Sequence, residues 1–504
     1  EWSVLLQEFA ASAQQRAFWL TNEIDAGTPV FNLLRVLRLK GIVRKDLVAR
    51  AVNELIARHE VIRTGLVERN GTVLQQVHDE ISLDVEEQDI SSYPEPERRM
   101  RVNELAARMC QTAFDLAAPP HLRVALARLS ADEHVLLVVF HHVIIDGSSM
   151  GAFFDEFASL YEAGLSGRPA LLPDIAFQYS DFADRQGRLY ARGAFEQDVA
   201  FWRTALAGAP PILALPTVRP RSAQRSHRGK RFGFDIDGGL AEALRVLCAR
   251  QGATLFMGLL SAFQVLLQRW ADTDDVVIGT PVSGHRDEDF AKLIGCFINT
   301  VALRGDLSGD PTFTALLARN RSTLLDAFEH QHVPFERVVA ETGHPRTRGH
   351  SPVFQVMFVL QNFRHELPKL AGLQVQDMDI DPGVSKLDLT FEIIEGDGLS
   401  CSFEYDSELF DPSMMERMAD QFERILESVV NDPERTIGSV KLLGKDEWQR
   451  AVFEWNATAR GYPRHSPADV FAAIAATRPD DVALISGDQR ISFGQLARRT
   501  GQIV

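Results

Sequence analysis

The stretch "EHVLLVVFHHVIIDG" (Glu133 to Gly147) limits what this chain can fold into more than any other. Its apolar run is of the kind found in the interior of a sheet, and three of the six residues from Val135 to Phe140 are β-branched. The preceding "HLRVALARLS" reads as a second strand, joined through the polar turn "SADE". After Gly147, "SSMGAFFDEFASLYEAG" has helical periodicity and reaches Gly164, where a C-cap is expected. A strand feeding directly into a helix predicts an α/β protein.

The same alternation continues along the 504 residues, a length that suggests about two to four domain-sized units. Helices are predicted from Arg44 to about Arg58 and at "RRMRVNELAARMCQTAF", with a strand at "NGTVLQQV". "SGRPALLPD" (Ser166 to Asp174) reads as a loop. "GAPPILALPTVRPRSAQRSHRGK" (Gly208 to Lys230), rich in Pro and Arg, predicts an exposed connector. Beyond it come helices at "GGLAEALRVLCARQG" and "TLFMGLLSAFQVLLQRW". Strands follow at "DDVVIGTPV", "SPVFQVMFVLQN" and "LDLTFEIIEGDGLSCSFEYD". Two α/β halves of similar size are therefore expected.

A net charge of -16 argues against nucleic acid as a partner, because phosphate binding needs a positive face. No apolar run reaches the ~18 residues of a membrane span, and no signal peptide is expected, so the reading is a cytoplasmic protein without membrane contact. The four cysteines, Cys110, Cys248, Cys296 and Cys401, are scattered and read as small buried apolar residues.

His141 and His142 point opposite ways if the strand runs through both, so one is expected to face the core and the other a cavity. Opposed rings do not share one metal, and no metal site is expected. Asp146, at the strand end, needs a partner if buried. Gly147-Ser148-Ser149-Met150-Gly151 fits the G-x-S-x-G elbow of a serine hydrolase, with Ser149 as nucleophile. The alternative is that these serines cap the first turn of the helix.

His141 to Gly147 also matches the H-H-x-x-x-D-G signature of the condensation domains of nonribosomal peptide synthetases, relatives of chloramphenicol acetyltransferase. "ASAQQRAFWL", "RHEVIRTGL", "YSDFADRQ", "IGCFINTVALR", "HQHVPFERVV" and "HSPVFQVMF" resemble further motifs of that family, in its order. "FEWNATARGYP" and "DVALISGDQRISFGQLARRT" resemble the start of an adenylation domain, so a piece cut from a larger synthetase is expected.

The resemblance implies two chloramphenicol-acetyltransferase-like lobes, residues 1–180 and 181–445, in a V-shaped pseudodimer with the active site in a tunnel between them. Residues 446–504 would then be a linker and the truncated start of an adenylation domain. It implies an amide-forming acyltransferase, a monomer with no intrinsically bound cofactor. Its substrates would arrive on 4′-phosphopantetheine arms of an upstream donor and a downstream acceptor peptidyl carrier protein, and an adjacent adenylation domain would be a further partner. By motif match His142 is the active-site histidine, and Gly147 offers its N–H to an oxyanion or to the arm. His141 supports the loop, and Asp146 pairs with Arg63. Ser148, Ser149, Trp19, Asn299 and Ser385 are expected along the tunnel. Many relatives carry a bulky residue after D-G, so Ser148-Ser149 would leave a small polar wall compatible with an extra reaction such as dehydration of the bound residue. A serine hydrolase or thioesterase, and a recruiting platform with a degenerate site, are the remaining alternatives.

Overall fold

The computed structural model describes residues 7–25, 27–283, 288–290, 292–344, 347–361, 367–461 and 464–502. Glu1, Asn362, Tyr462 and Pro463, which fall in the ends and motifs above, lie outside them. The chain divides into two compact units, Glu1–Leu442 and Leu443–Val504.

The apolar run does become a central strand. The first half contributes β1 (Gln7–Ala10), β2 (Asn32–Lys40), β3 (Thr64–Arg69), β4 (Thr72–Val77), β5 (Glu86–Asp89), β6 (Leu122–Arg128) and β7 (Glu133–His141). β7 pairs antiparallel with β2 from Asn32↔His141 to Lys40↔Glu133, and with β6 from Leu122↔Phe140 to Arg128↔His134. With both edges paired and every residue after Glu133 buried, its ladder groups are satisfied without water. The helices of this half are α1 (Ala13–Ile24), α2 (Lys45–Arg58), α3 (Glu95–Gln111), α4 (Gly147–Ser166) and α5 (Tyr179–Ala191). Phe140 of β7 meets Phe153 of α4 edge-on at 4.9 Å, which seats α4 on the sheet.

α4 does not stop at Gly164. It continues to Ser166 and is capped by Gly167 in the left-handed region, φ 65°. Gly164 instead admits α2: a Cβ there would lie 2.8 Å from Leu47 Cδ2. A glycine near a helix end can signal either a cap or a close crossing, and here it is the crossing.

The second half adds β8 (Gly229–Ile236), β9 (Asp275–Val282), β10 (Asn299–Asp306), β11 (Val356–Gln361), β12 (Gln374–Asp377), β13 (Leu389–Glu395) and β14 (Leu399–Asp406). Six of these form a sheet in the order β10-β9-β11-β13-β14-β8, packed against the buried helices Leu255–Ala271 and Pro412–Asn431. β12 leaves this half and pairs antiparallel with β2, giving the first sheet the order β12-β2-β7-β6-β5. Phe290, Leu293, Ile294 and Phe297 likewise join the core of the first half. Chain order and lobe membership therefore differ at two places.

Among the described residues no single helix is long and apolar enough to cross a membrane. Helices Gly238–Arg250 and Leu255–Ala271 pass that test only jointly, across a 106° bend, and the second is largely buried in the core. The unit Leu443–Val504 holds a hairpin, Val482–Ser486 with Gln489–Ser492, between helices Pro467–Thr477 and Phe493–Thr500.

The connector from Gly208 to Lys230 is not simply exposed. Leu213 and Leu215 are buried in the core of the second lobe. Arg221 makes a bidentate pair, 2.9 and 2.6 Å, with Asp388, which is 2 % exposed. A planar guanidinium fits a carboxylate in this fork geometry, so a polar sequence can be anchored as firmly as an apolar one. Removing one partner of such a pair leaves a buried uncompensated charge. Arg221→Ala is expected to destabilise the domain by about 3–5 kcal/mol in urea unfolding, whereas Arg228→Ala, in the same connector but paired at the surface with Glu408, should stay within about 1 kcal/mol of wild type.

Candidate active site between the lobes

β7 ends at His141, and the chain turns before α4 begins at Gly147. His141 is buried; its Nδ1 accepts the Val143 N–H at 3.1 Å, and burial holds its pKa well below the usual histidine value. The His142 N–H donates to the Phe31 carbonyl at 2.8 Å, and its ring, half-buried, turns the other way. Phe18 of α1 stacks on that ring at 5.3 Å and 24°. On another side the Cys296 sulfur lies 3.6 Å from Nδ1. Burial first, then the charge of Lys386, push the His142 pKa down to about 4, against the opposing pull of Asp146. The imidazole is therefore neutral at physiological pH.

Asp146 is the N-cap of α4. Its Oδ1 accepts the Ser149 N–H and the Ser148 O–H, both at 2.9 Å. Its Oδ2 accepts the Phe297 N–H at 2.8 Å, and its own N–H donates to the Gly295 carbonyl at 3.1 Å. The expected pair with Arg63 does not form: Arg63 donates to the His78 carbonyl and lies 3.6 Å from Glu60. The reason is local, since a carboxylate at a helix N-terminus is already stabilised by amide donors and needs no cation.

Ser149 is turned into the same contact. Its hydroxyl donates to the Gly295 carbonyl at 2.8 Å and accepts the Gly295 N–H at 3.3 Å. Among the described residues no imidazole is a partner of Ser149, so none of them is placed as a base to activate it as an elbow nucleophile. The cap itself is Asp146, not a serine. Gly147 is the first residue of α4, where an α-helix leaves N–H groups without intrahelical acceptors. Ser148 is exposed beside it.

The segment Leu293–Phe297 is thus fastened to the start of α4, and Tyr179 completes the docking. Its hydroxyl donates to the Cys296 carbonyl at 2.6 Å and lies 2.9 Å from the Ser12 hydroxyl. Only glycine fits at 295, because a Cβ would lie 2.3 Å from the Tyr179 ring. Cys296, Tyr179, Phe18 and Lys386 were not singled out from sequence. Cys296 and Tyr179 stand inside quoted motifs, but nothing in a motif says which of its residues reaches the histidine.

Two cavities flank this contact. One, of about 650 Å³, is lined by Gln14, Phe182, Phe297, Asn299 and Gln331 among others. The second, of about 470 Å³, is lined by Val30, Phe31, Phe335, Lys386 and Glu404 among others. His142 lines neither; its backbone N–H bonds to Phe31, which lines the second, and its Nδ1 lies beside Cys296, the neighbour of Phe297, which lines the first. Asn299 lines the first cavity, with its amide donating to the Gln331 and Val333 carbonyls at 2.8 Å each. Trp19 lines neither and packs, partly buried, on the first lobe's core. Ser385 is fully buried with its hydroxyl on the Leu387 carbonyl at 2.6 Å, so its side chain is not a cavity wall; the neighbouring Lys386 takes that place. Among the described residues no group of three or more His, Cys, Asp or Glu side chains is gathered as a metal site.

A family model described as "Condensation domain" matches residues 6–451. A linear gramicidin synthase of Brevibacillus parabrevis is 38% identical over 494 residues, which is 97% of this chain and 10% of that protein. Phosphinothricin tripeptide synthetase PhsC of Streptomyces viridochromogenes is 35% identical over 490 residues, 96% of this chain and 45% of that protein. The chain thus spans less than half the length of either relative. Among solved structures, a complex of the X-domain and OxyB from teicoplanin biosynthesis matches with a TM-score of 0.81 and 29% identity, covering 87% of this chain and 97% of that one. The first condensation domain of the calcium-dependent antibiotic synthetase, in complex with a substrate analogue, matches in fold with a TM-score of 0.73 at 19% identity, over 87% of this chain and 99% of that one. The fold is the V-shaped pseudodimer of two chloramphenicol-acetyltransferase-like lobes. This chain belongs to the condensation-domain family of nonribosomal peptide synthetases.

Proposed function

We propose that this domain is an amide-forming acyltransferase. The amine of an aminoacyl group on one peptidyl carrier protein attacks the thioester carbonyl of an acyl or peptidyl chain on another. A C–N bond forms, the C–S bond breaks, and the donor's pantetheine leaves as a thiol. The donor carrier is upstream, the acceptor carrier downstream, and both chains arrive on 4′-phosphopantetheine arms. Residues 1–180 and 181–445 are read as the lobes, and 446–504 as a linker and the start of an adenylation domain.

The observation that carries this reading is the half-buried, neutral imidazole of His142, stacked on Phe18 with the Cys296 sulfur at its Nδ1. An α-amino group has a pKa of about 8, so freeing it at pH 7 costs only about 1.4 kcal/mol. After attack the nitrogen is positive and must lose a proton. A neutral imidazole can orient the amine by hydrogen bonding and accept that proton. Holding two tethered reactants in line supplies several kcal/mol more. Gly147, as the first residue of α4, would offer its N–H to the developing oxyanion or to the arm. Asp146, His141 and the segment at Cys296 shape and hold the loop.

With loaded carriers and intact-mass detection of product, His142→Ala is expected to lower turnover by about a hundredfold or more, with an unchanged circular dichroism spectrum. Wild-type turnover in this variant would sink the reading, and absence of turnover in the wild type with every donor tried would favour a recruiting platform. Asp146→Ala is expected to act differently. It removes the acceptor of three hydrogen bonds, so thermal stability and soluble yield should fall together with activity. The pH dependence has a definite sign. A histidine with a depressed pKa keeps its base form down to about 4. Turnover between pH 5.5 and 8 should therefore follow the amine alone, rising with pH. A second inflection near 6.5 would show that the imidazole titrates as if exposed.

A further inference from the structure

We propose that Cys296 is a positioning residue for His142: its sulfur accepts a hydrogen bond from Nδ1–H and leaves the Nε2 lone pair free for the substrate amine. This rests on the acid–base reading of His142 given above. The Nδ1–Sγ separation of 3.6 Å suits a hydrogen bond to sulfur, whose radius exceeds that of oxygen. A neutral imidazole has one donor and one acceptor nitrogen, and the partner of one decides the role of the other. Here the neighbour of Nδ1 is the Cys296 sulfur, which can accept from an Nδ1–H. The carbonyls of Ile145 and of His142 itself also favour a proton on the ring.

The sulfur is suited to accept. The Ile298 N–H also acts on it as a donor. Burial, and the nearby charge of Asp146, raise the Cys296 pKa and keep the sulfur a neutral thiol. A Cys–His nucleophilic pair needs a thiolate, so this cysteine does not attack the thioester. It orients. The backbone bonds from Asp146, Ser149 and Tyr179 to residues 295–297 fix where the sulfur lies, and Phe18 stacking fixes the ring plane.

The test reads the tautomer directly. In the intact chain labelled with ¹⁵N-histidine, two-bond ¹H–¹⁵N correlations separate the Nδ1–H from the Nε2–H form, and the His142 signals are those lost in His142→Ala. The wild type is expected to show Nδ1–H. Cys296→Ala should shift the population toward Nε2–H and lower kcat by about tenfold or more, with KM on loaded carriers unchanged. Cys296→Ser, which restores an acceptor oxygen, should keep the wild-type pattern and most of the rate. An Nε2–H signal in the wild type overturns the proposal without any variant having to fold. So does a folded Cys296→Ala protein with the wild-type tautomer. The spectrum is independent of turnover, so its failure is distinct from failure of the His142→Ala assay.

Discussion

The site depends on one contact: the carboxylate of Asp146 bridging the first turn of α4 and the Phe297 amide. One oxygen serves the helix it caps, and the other reaches a segment some 150 residues away in sequence. Together with the Ser149–Gly295 bonds it holds the Leu293–Phe297 segment, which packs in the first lobe's core, beside His142. Charge-assisted bonds from amides to a carboxylate are short and strong, and here they are shielded from water. In this chain Asp146 thus anchors the Phe297 segment to the start of α4 through amide donors.

The electrostatics follow from the same packing. His142 is neutral mainly because its ring is desolvated, and the Lys386 charge adds to that effect. In the reaction proposed above, neutrality would suit a group that accepts a proton late, from a nucleophile already close to its free-base form. The ring is restrained on separate sides by an aromatic face, a sulfur and its own backbone bond to Phe31. A ring held in this way has little orientational freedom left to lose.

Much of this was legible beforehand. The period-2 rule set His141 and His142 on opposite sides, and His141 is buried and His142 half-buried, although the strand stops between them. The helix after Gly147 and the strands of the second half stood out through their apolar periodicity. What stayed hidden has a common cause. Across to Phe297 and at Ser149, Asp146 is satisfied by backbone amides, which every residue but proline carries, so no side-chain pattern marks those partners. Arg221 and Leu213 sit in a stretch whose composition resembles a loop, yet a single buried carboxylate and two leucines anchor it. Gly164 and Gly295 are explained only by what approaches them, Leu47 and Tyr179.

The position of β12 carries a consequence for how such domains can be recombined. This short strand comes from the second half of the chain but closes the first lobe's sheet against β2, and Phe290 to Phe297 fill the first lobe's core. A chimera that exchanges lobes at a single cut would separate β2 from its edge partner and leave one core short of aromatic side chains. Grafting one lobe between synthetases therefore requires three non-contiguous segments to travel together as a unit.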